Sequence, residues 1–368
     1  MSRRDTPPFR ADHVGSLLRP KHLLEARSDG TPPDELRAIE DEAIRDVVRM
    51  QEEVGLQSAT DGEFRRASWH MDFIYSIDGI EKADEELTVK MRNPDGEIAF
   101  TSAALKVESK LGVSETIFGE DFRFLSDTVS TTVPKQTIPS PSMVHYRGGA
   151  AAIDPDVYAD QDAFWADLTA AYSDEIGRMA ELGCTYLQLD DTSLAYLNDP
   201  EQREQMASRG EDAEHLHESY IKHLNEALAA RPEDMAITTH MCRGNFRSSW
   251  AAEGGYDFVA EALFTSLDVD GFFLEYDDDR SGGFEPLRFV PRDKLVVLGL
   301  VTTKSGRRET ADELERRTRE AAEQIDIERL AISPQCGFAT SVIGNAVSVE
   351  DERAKLRTIA EAAARIWG

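Results

Sequence analysis

A chain of 368 residues with net charge -29, 70 acidic side chains against 41 basic ones, presents no basic face for nucleic acid or an anionic membrane. It holds no run of about 18 apolar residues, and its opening MSRRDTPPFRADH has no apolar core, so neither a membrane span nor a secretion signal is expected and the cytoplasm is the default location. Three cysteines, Cys184, Cys242 and Cys336, are an odd set for a disulfide framework, which leaves metal binding or reactivity as their chemical uses.

Taken in chain order, residues 12–16 in ADHVGSLLRP read as a short strand ending in a Gly-Ser turn. The segment 31–55 carries Pro at a helix start, acids in the first turn, Leu36, Ile39, Ala43, Val47 and Met50 at helical spacing, and a terminal Gly55. A second strand, 56–60, stops at Asp61-Gly62-Glu63. From 66 to 128 the pattern loosens, and Asn-Pro-Asp-Gly between β-prone runs predicts a hairpin. This region is expected to be an insertion covering the barrel mouth, because it is too short to carry much core of its own. A third strand, 133–138, runs into a Pro-broken loop.

The remainder alternates regularly. A helix over 157–184 closed by Gly183 precedes a strand at 185–190; a helix at 211–230 precedes a strand at 236–241; a helix at 253–263 precedes strands at 271–275 and 295–302. A charged helix at 309–326, a strand at 329–333 and a helix at 349–366 complete the chain. Alternating strands and helices imply a parallel sheet, and eight strands imply a (β/α)8 TIM barrel forming one domain over 1–368, with the insertion after its second strand. A doubly wound open sheet is the alternative, but no Gly-x-Gly-x-x-Gly turn follows a strand.

Barrels of this kind build their active sites at the carboxyl ends of the strands. Polar residues fall there: Ser16 after the first strand, Glu63 after the second, Asp190 after the fourth, His240 and Cys242 at the fifth, Glu275 at the sixth, Lys304 after the seventh and Cys336 after the eighth. In AITTHMCRGNF, 236–246, the His and Cys stand two apart on an extended segment and so share a face. Imidazole with thiolate is a zinc preference. Alone the pair reads more often as core packing than as ligands; with Glu275 and Cys336 the donor set becomes one nitrogen, two sulfurs and one oxygen, which suits tetrahedral Zn²⁺. Cys184, after a helix end, is expected in the core, and Asp277 to Asp279 on the solvated surface.

The motifs HVGSLLRP, DGEF, YLQLDD, THMC, FFLEYD and SPQCG, in this order, resemble the cobalamin-independent methionine synthase family, specifically its C-terminal catalytic barrel, over nearly the whole chain. The extra N-terminal barrel of the full-length enzymes has no counterpart here, which suggests a short, stand-alone member. The resemblance implies a zinc ion held by His240, Cys242, Glu275 and Cys336 that activates the homocysteine thiol, with Ser16, Glu63 and Asp190 for the amino-acid part of the substrate and 5-methyltetrahydrofolate or its polyglutamate as methyl donor. Glu275, the one oxygen ligand, is expected to loosen when a thiol enters.

Two departures fall on the donor side. Lys304 stands where the family carries a His proposed as proton donor, and His145 and Tyr146 stand in a loop that normally holds a Trp beside the folate. Asp190 and Lys304 are therefore the expected catalytic residues, and His145 and Tyr146 are expected at the donor. The competing expectations are zinc-dependent alkyl transfer to another thiol or from another donor, such as an epoxide to coenzyme M or a methyl-corrinoid, and a non-catalytic zinc-binding barrel. A sulfonate thiol would call for basic residues where Glu63 and Asp190 stand.

Overall fold

The computed structural model describes residues 4–93 and 96–368. Its strands in chain order are β1 (Ser58–Ala59), β2 (Asp78–Asn93), β3 (Gly96–Gly112), β4 (Val133–Pro134), β5 (Gln136–Pro139), β6 (Tyr186–Asp191), β7 (Ala236–Met241), β8 (Gly271–Glu275), β9 (Leu295–Val301) and β10 (Leu330–Pro334). Strands β5 to β10 form one parallel sheet in which each pairs with the next along the chain. Near-continuous apolar runs such as GFFLE and LVVLGLV suit strands covered on both faces.

The ring closes through the N-terminal third. Strand β1 pairs in parallel with β4, and Ala11 bridges in parallel to Ile332 of β10. Side chains stitch the first two segments together: Ser58 Oγ donates to Asp12 at 2.9 Å and Thr60 Oγ1 to the Gly15 carbonyl at 2.7 Å. Eight segments thus surround a TIM-barrel interior, where Val14, Phe273, Val297 and Ala331 pack as a cluster separate from the main core. Beside them Lys135 is fully buried, its ammonium 2.5 Å from the His13 carbonyl, 3.4 Å from Asp12 and over the Tyr186 and Phe273 rings.

Three expectations need correction. The strand at 12–16 is absent apart from the single bridge at Ala11, because the Asp12 carboxylate accepts the amides of Phe9 (3.1 Å) and His13 (2.8 Å) and so competes with a ladder. The second strand shrinks to two residues, and the third splits into β4 and β5. The split follows from a change of neighbour: Val133 and Lys135 donate to the Gln57 and Ala59 carbonyls, whereas Gln136 to Pro139 run beside β6.

Four helices sit inside the expected windows but are shorter, Pro33–Glu53, Gln161–Glu181, Leu216–Leu228 and Ala311–Ala321; the last, Val349–Trp367, runs one residue past its expected end, and the expected 253–263 segment becomes Ala260–Ser266. Asp160 caps the Ala163 amide at 2.8 Å and delays the third-strand helix to residue 161. Short helices at Lys21–Ser28, Gly119–Thr128 and Pro200–Ser208 are additional. Strands β2 and β3 pair antiparallel as a long ribbon; Pro94 and Asp95 of the expected turn lie outside the described residues. The ribbon is fastened to the barrel rim by reciprocal backbone bonds between Arg92 and Trp250, 2.7 and 2.9 Å, and by Arg92 pairing with Glu201 and Asp199. Among the described residues no helix is long and apolar enough to cross a membrane.

The last helix buries Glu352, which accepts the Leu18 amide at 2.8 Å. Burial pushes this carboxyl up to about 8 from an ordinary 4.5. The folded protein therefore holds the proton more tightly than the unfolded chain, and this contribution to stability is full below about 4.5 and lost as pH rises through 8. Glu352→Gln keeps the acceptor and removes the loss. Its Tm should exceed wild type at pH 9, with a gain on the order of 2 kcal/mol that closes by pH 5; thermal denaturation at the two pH values reads this directly.

Candidate metal centre and substrate pocket

The centre is assembled where β7, β8 and β10 end. His240 is the fifth residue of β7, and the Cys242 amide continues the ladder by donating to the Asp191 carbonyl at 2.8 Å. Glu275 ends β8, its own amide held by Tyr256 Oη at 2.8 Å and its Oε1 by the Arg243 amide at 3.1 Å. Cys336 follows β10, and the preceding Gln335 amide donates to the Val301 carbonyl at 2.8 Å. Gly299 permits this convergence: a Cβ there would lie 2.7 Å from the Gln335 Cα and 2.9 Å from the Leu274 carbonyl oxygen.

The ligand atoms of His240, Cys242, Glu275 and Cys336 lie within 4.8 Å of one another, all buried. The two sulfurs are 3.4 Å apart. A zinc ion with bonds of about 2.3 Å to each sulfur needs them roughly 3.8 Å apart, so the donor set fits a tetrahedral ion with small adjustments. The polar atoms also fit: both His240 ring nitrogens and Glu275 Oε2 are buried without a hydrogen-bond partner, a state that a cation relieves. The Gly244 amide donates to the Cys242 sulfur at 3.3 Å, a bond that favours thiolate.

The electrostatics of the four are coupled. The hydrogen bond from Cys242 holds the Cys336 thiol well below the usual range against the effect of burial, with His240 adding to it. The same bond, reinforced by burial, pushes the Cys242 thiol up. Burial works to lower the His240 value, but Cys336, Asp190 and Glu275 more than reverse it.

Beside the centre a small cavity of about 20 Å³ is lined by Ser16, Glu63, Trp69, Asp190 and Thr340, with His240, Cys242 and Cys336 as the wall toward the candidate ligands. Asp190 sits opposite His240 in the β6–β7 register and accepts from Gln188 at 2.6 Å. Burial pushes its carboxyl up to about 7, with His240 opposing. Glu63 has φ 60°, beside Gly62 at 68°, a left-handed conformation costing a non-glycine residue about 1–2 kcal/mol. It is held there by Asp61, which accepts its amide at 2.8 Å, and by Arg19, which donates to its carbonyl at 2.7 Å. Thr137 donates to Glu63 Oε1 at 2.8 Å and Arg66 lies 3.5 Å away, while Oε2 is buried and unpartnered. Burial raises this carboxyl, and Arg66 partly offsets the rise. Ser16 reaches the pocket because Gly337 has no side chain; a Cβ there would strike the Ser16 hydroxyl.

The other expected residues stand elsewhere. His145 is not at the mouth: in the helix Ser142–Gly148 it turns into the helical layer, its Nδ1 2.9 Å from Tyr220 Oη and its ring against Trp165. Burial lowers it to about 4. Tyr146 lies edge-on to Tyr196 and bonds Gln202, lining a separate pocket that shares no residue with the one at the centre except through an intervening cavity. Lys304 is half-buried, with its ammonium 3.3 Å from the Gly244 carbonyl in the loop after Cys242. Cys184 is buried in the core. Trp69, His70, Tyr196 and Thr340 were not foreseen. A Trp-His pair just past DGEF was a visible signal, but nothing local says that this loop folds over the rim.

An imidazole, two thiols and a carboxylate converging at the carboxyl ends of the parallel strands define a barrel with a candidate metal site. The chain matches the family described as "Cobalamin-independent synthase, Catalytic domain" over residues 21–365. It is 43% identical to YxjG of Bacillus subtilis (strain 168), a protein described as uncharacterized, over 99% of this chain and 96% of that one. It is 24% identical to a methionine synthase of Pyrococcus abyssi over 88% of this chain and 85% of that protein. A crystal structure from Listeria monocytogenes, provisionally designated a vitamin-B12 independent methionine synthase, superposes with TM-score 0.79 at 39% identity, covering 99% of this chain and 100% of that one. The protein belongs to the cobalamin-independent methionine synthase family, through its catalytic domain.

Removing one donor should cost more metal affinity than the 10–100-fold typical of a supporting residue. Cys336→Ser and Glu275→Gln are expected to lose zinc to a chromophoric chelator at concentrations at least about 100-fold lower than wild type needs. Equal retention by all three proteins would show that the four groups do not act as one ligand set.

Proposed function

We propose that this protein is a zinc-dependent methyltransferase that moves a methyl group onto the thiol of homocysteine, with a methylated tetrahydrofolate or its polyglutamate as donor. The observation that carries this is the adjacency of the four-donor centre to a small pocket with two buried carboxylates, Glu63 and Asp190. A resident metal of thiol chemistry and an ammonium-binding end stand side by side, as a short amino-acid thiol requires. A structural zinc site has no need of such a pocket.

His240, Cys242, Glu275 and Cys336 would hold the ion, and when bound it supplies a thiolate at neutral pH in place of a thiol of which only about 3% is ionised. The protein's own groups do the rest. Glu63 Oε2 and Asp190 take the substrate ammonium, and the Ser16 hydroxyl takes the carboxylate. Asp190, with its pKa close to neutrality, also holds or passes a proton at Oδ next to His240. The new bond joins the substrate sulfur to the methyl carbon; the bond that breaks joins that carbon to the donor, whose leaving atom keeps the electron pair and takes up a proton. Lys304, bound to the Gly244 carbonyl, serves as a positioning residue for the loop that carries Cys242.

X-ray absorption at the zinc edge tests the acceptor. Homocysteine should add one sulfur neighbour, and a shell that ignores the thiol would sink this assignment in favour of a structural ion. In steady-state assays Glu63→Gln is expected to raise KM for homocysteine about tenfold or more, the effect of losing a charge-assisted bond. Gly337→Ala should also raise KM by displacing the Ser16 hydroxyl, while zinc content stays at the wild-type level.

A further inference from the structure

Ser16, Glu63, Trp69 and Thr340 of the cavity lining stand on loops that follow Ala11, β1 and β10. Main-chain bonds lace these loops together: Leu17 donates to the Gly62 carbonyl at 3.1 Å, Phe338 to the Ser16 carbonyl at 2.9 Å and Trp69 to the Thr340 carbonyl at 3.1 Å, and Ser68 bridges antiparallel to Ser341. One buried side chain, Arg19, lies across the seam. Its Nη1 donates to the Ala339 and Ser341 carbonyls at 3.2 and 3.0 Å, and its Nη2 to the Glu63 and Arg66 carbonyls at 2.7 and 2.8 Å. Each end of the fork thus holds one loop.

A buried guanidinium that gives its Nη donors to four carbonyls, in a chain with 70 acidic side chains, fixes two backbones at once rather than forming an ion pair. The backbone path matters at Glu63, whose φ of 60° is left-handed. An acidic residue stays there only where its surroundings hold the peptide. The shortest of the four Arg19 bonds falls on this residue's own carbonyl. Released from it, residue 63 would relax toward negative φ and carry its unpartnered Oε2 out of the cavity.

We propose that Arg19 is a positioning residue for the thiol substrate: by clamping the Glu63–Arg66 turn to the loop Ala339–Ser341, it aims Glu63 Oε2 at the substrate ammonium. The inference rests on the acceptor reading above and adds to it a group that touches neither substrate nor metal. Lysine carries its three donors on one nitrogen and cannot span both loops, so it restores the charge without the clamp.

Two thiols separate aiming from general loosening: homocysteine, and 4-mercaptobutyrate, which is the same thiol acid without the ammonium. In titration calorimetry on the zinc-loaded protein, Arg19→Lys and Arg19→Gln should weaken homocysteine binding about tenfold or more, while 4-mercaptobutyrate stays within about twofold of wild type. Added to Glu63→Gln, either change should cost homocysteine little further, because Arg19 acts through that carboxylate. Equal weakening of the two thiols, or additive losses in the double variants, overturns the aiming role. Hydrogen exchange tests the clamp with no thiol present: in Arg19→Gln the amides of 62–69 and 338–344 should exchange faster together, while those of β7 keep their protection. Unchanged protection of both loops refutes the clamp. Wild type that ignores homocysteine refutes the acceptor instead, and the exchange measurement then decides the clamp by itself.

Discussion

Everything in this molecule turns on two sulfur atoms 3.4 Å apart that belong to residues 94 positions apart in the chain. Held so close in a buried site with an imidazole and a carboxylate, they form an arrangement that is costly without a cation and favourable with one. The barrel exists, in this sense, to bring the ends of β7, β8 and β10 to one point. Gly299 sets how closely those ends approach, and Tyr256 and the Arg243 amide aim Glu275. Small errors in strand register would be ruinous, since a one-residue slip turns His240 to the opposite face.

The interior below the rim is unusually rich in charge for a buried space. Lys135 and Asp12 pair at the centre, and Glu63, Asp190 and His240 lie above them. Each group is oriented by another: Asp12 by Ser58 and Tyr186, Glu63 by Thr137 and Arg66, Asp190 by Gln188. Such a network rigidifies the barrel's N-terminal third, where the β-ladder is thinnest and side chains replace backbone bonds. The same network leaves Glu63 Oε2 without a partner, so the stabilising lattice and the cavity beside the four-donor cluster share their atoms.

The strands and the loops contribute different parts of the rim. Strand ends supply the four candidate ligands, and the cavities outside them are made from other segments: the loop around Trp69 and His70, the helix bearing Arg147, and the ribbon with Val89, Lys90 and Met91. Loops tolerate change where strands do not.

Much was legible in the residues themselves. Short apolar runs marked the parallel strands from 185 onward and period-3.6 patterns the long helices, because each must bury both faces or one, and that demand is local. The four candidate ligands were legible for the same reason, as each ends an apolar strand. The opening strands were not, since Asp12, Ser58 and Thr60 trade ladder bonds for side-chain ones that only the closed barrel supplies. Nor was the fate of His145, which is as polar as a site residue but points into a helical layer defined by Trp165 and Tyr220. Sequence determined which chemical groups stand at strand ends; tertiary structure alone decided which loops fold over them, because a loop's path depends on distant surfaces that no local pattern encodes.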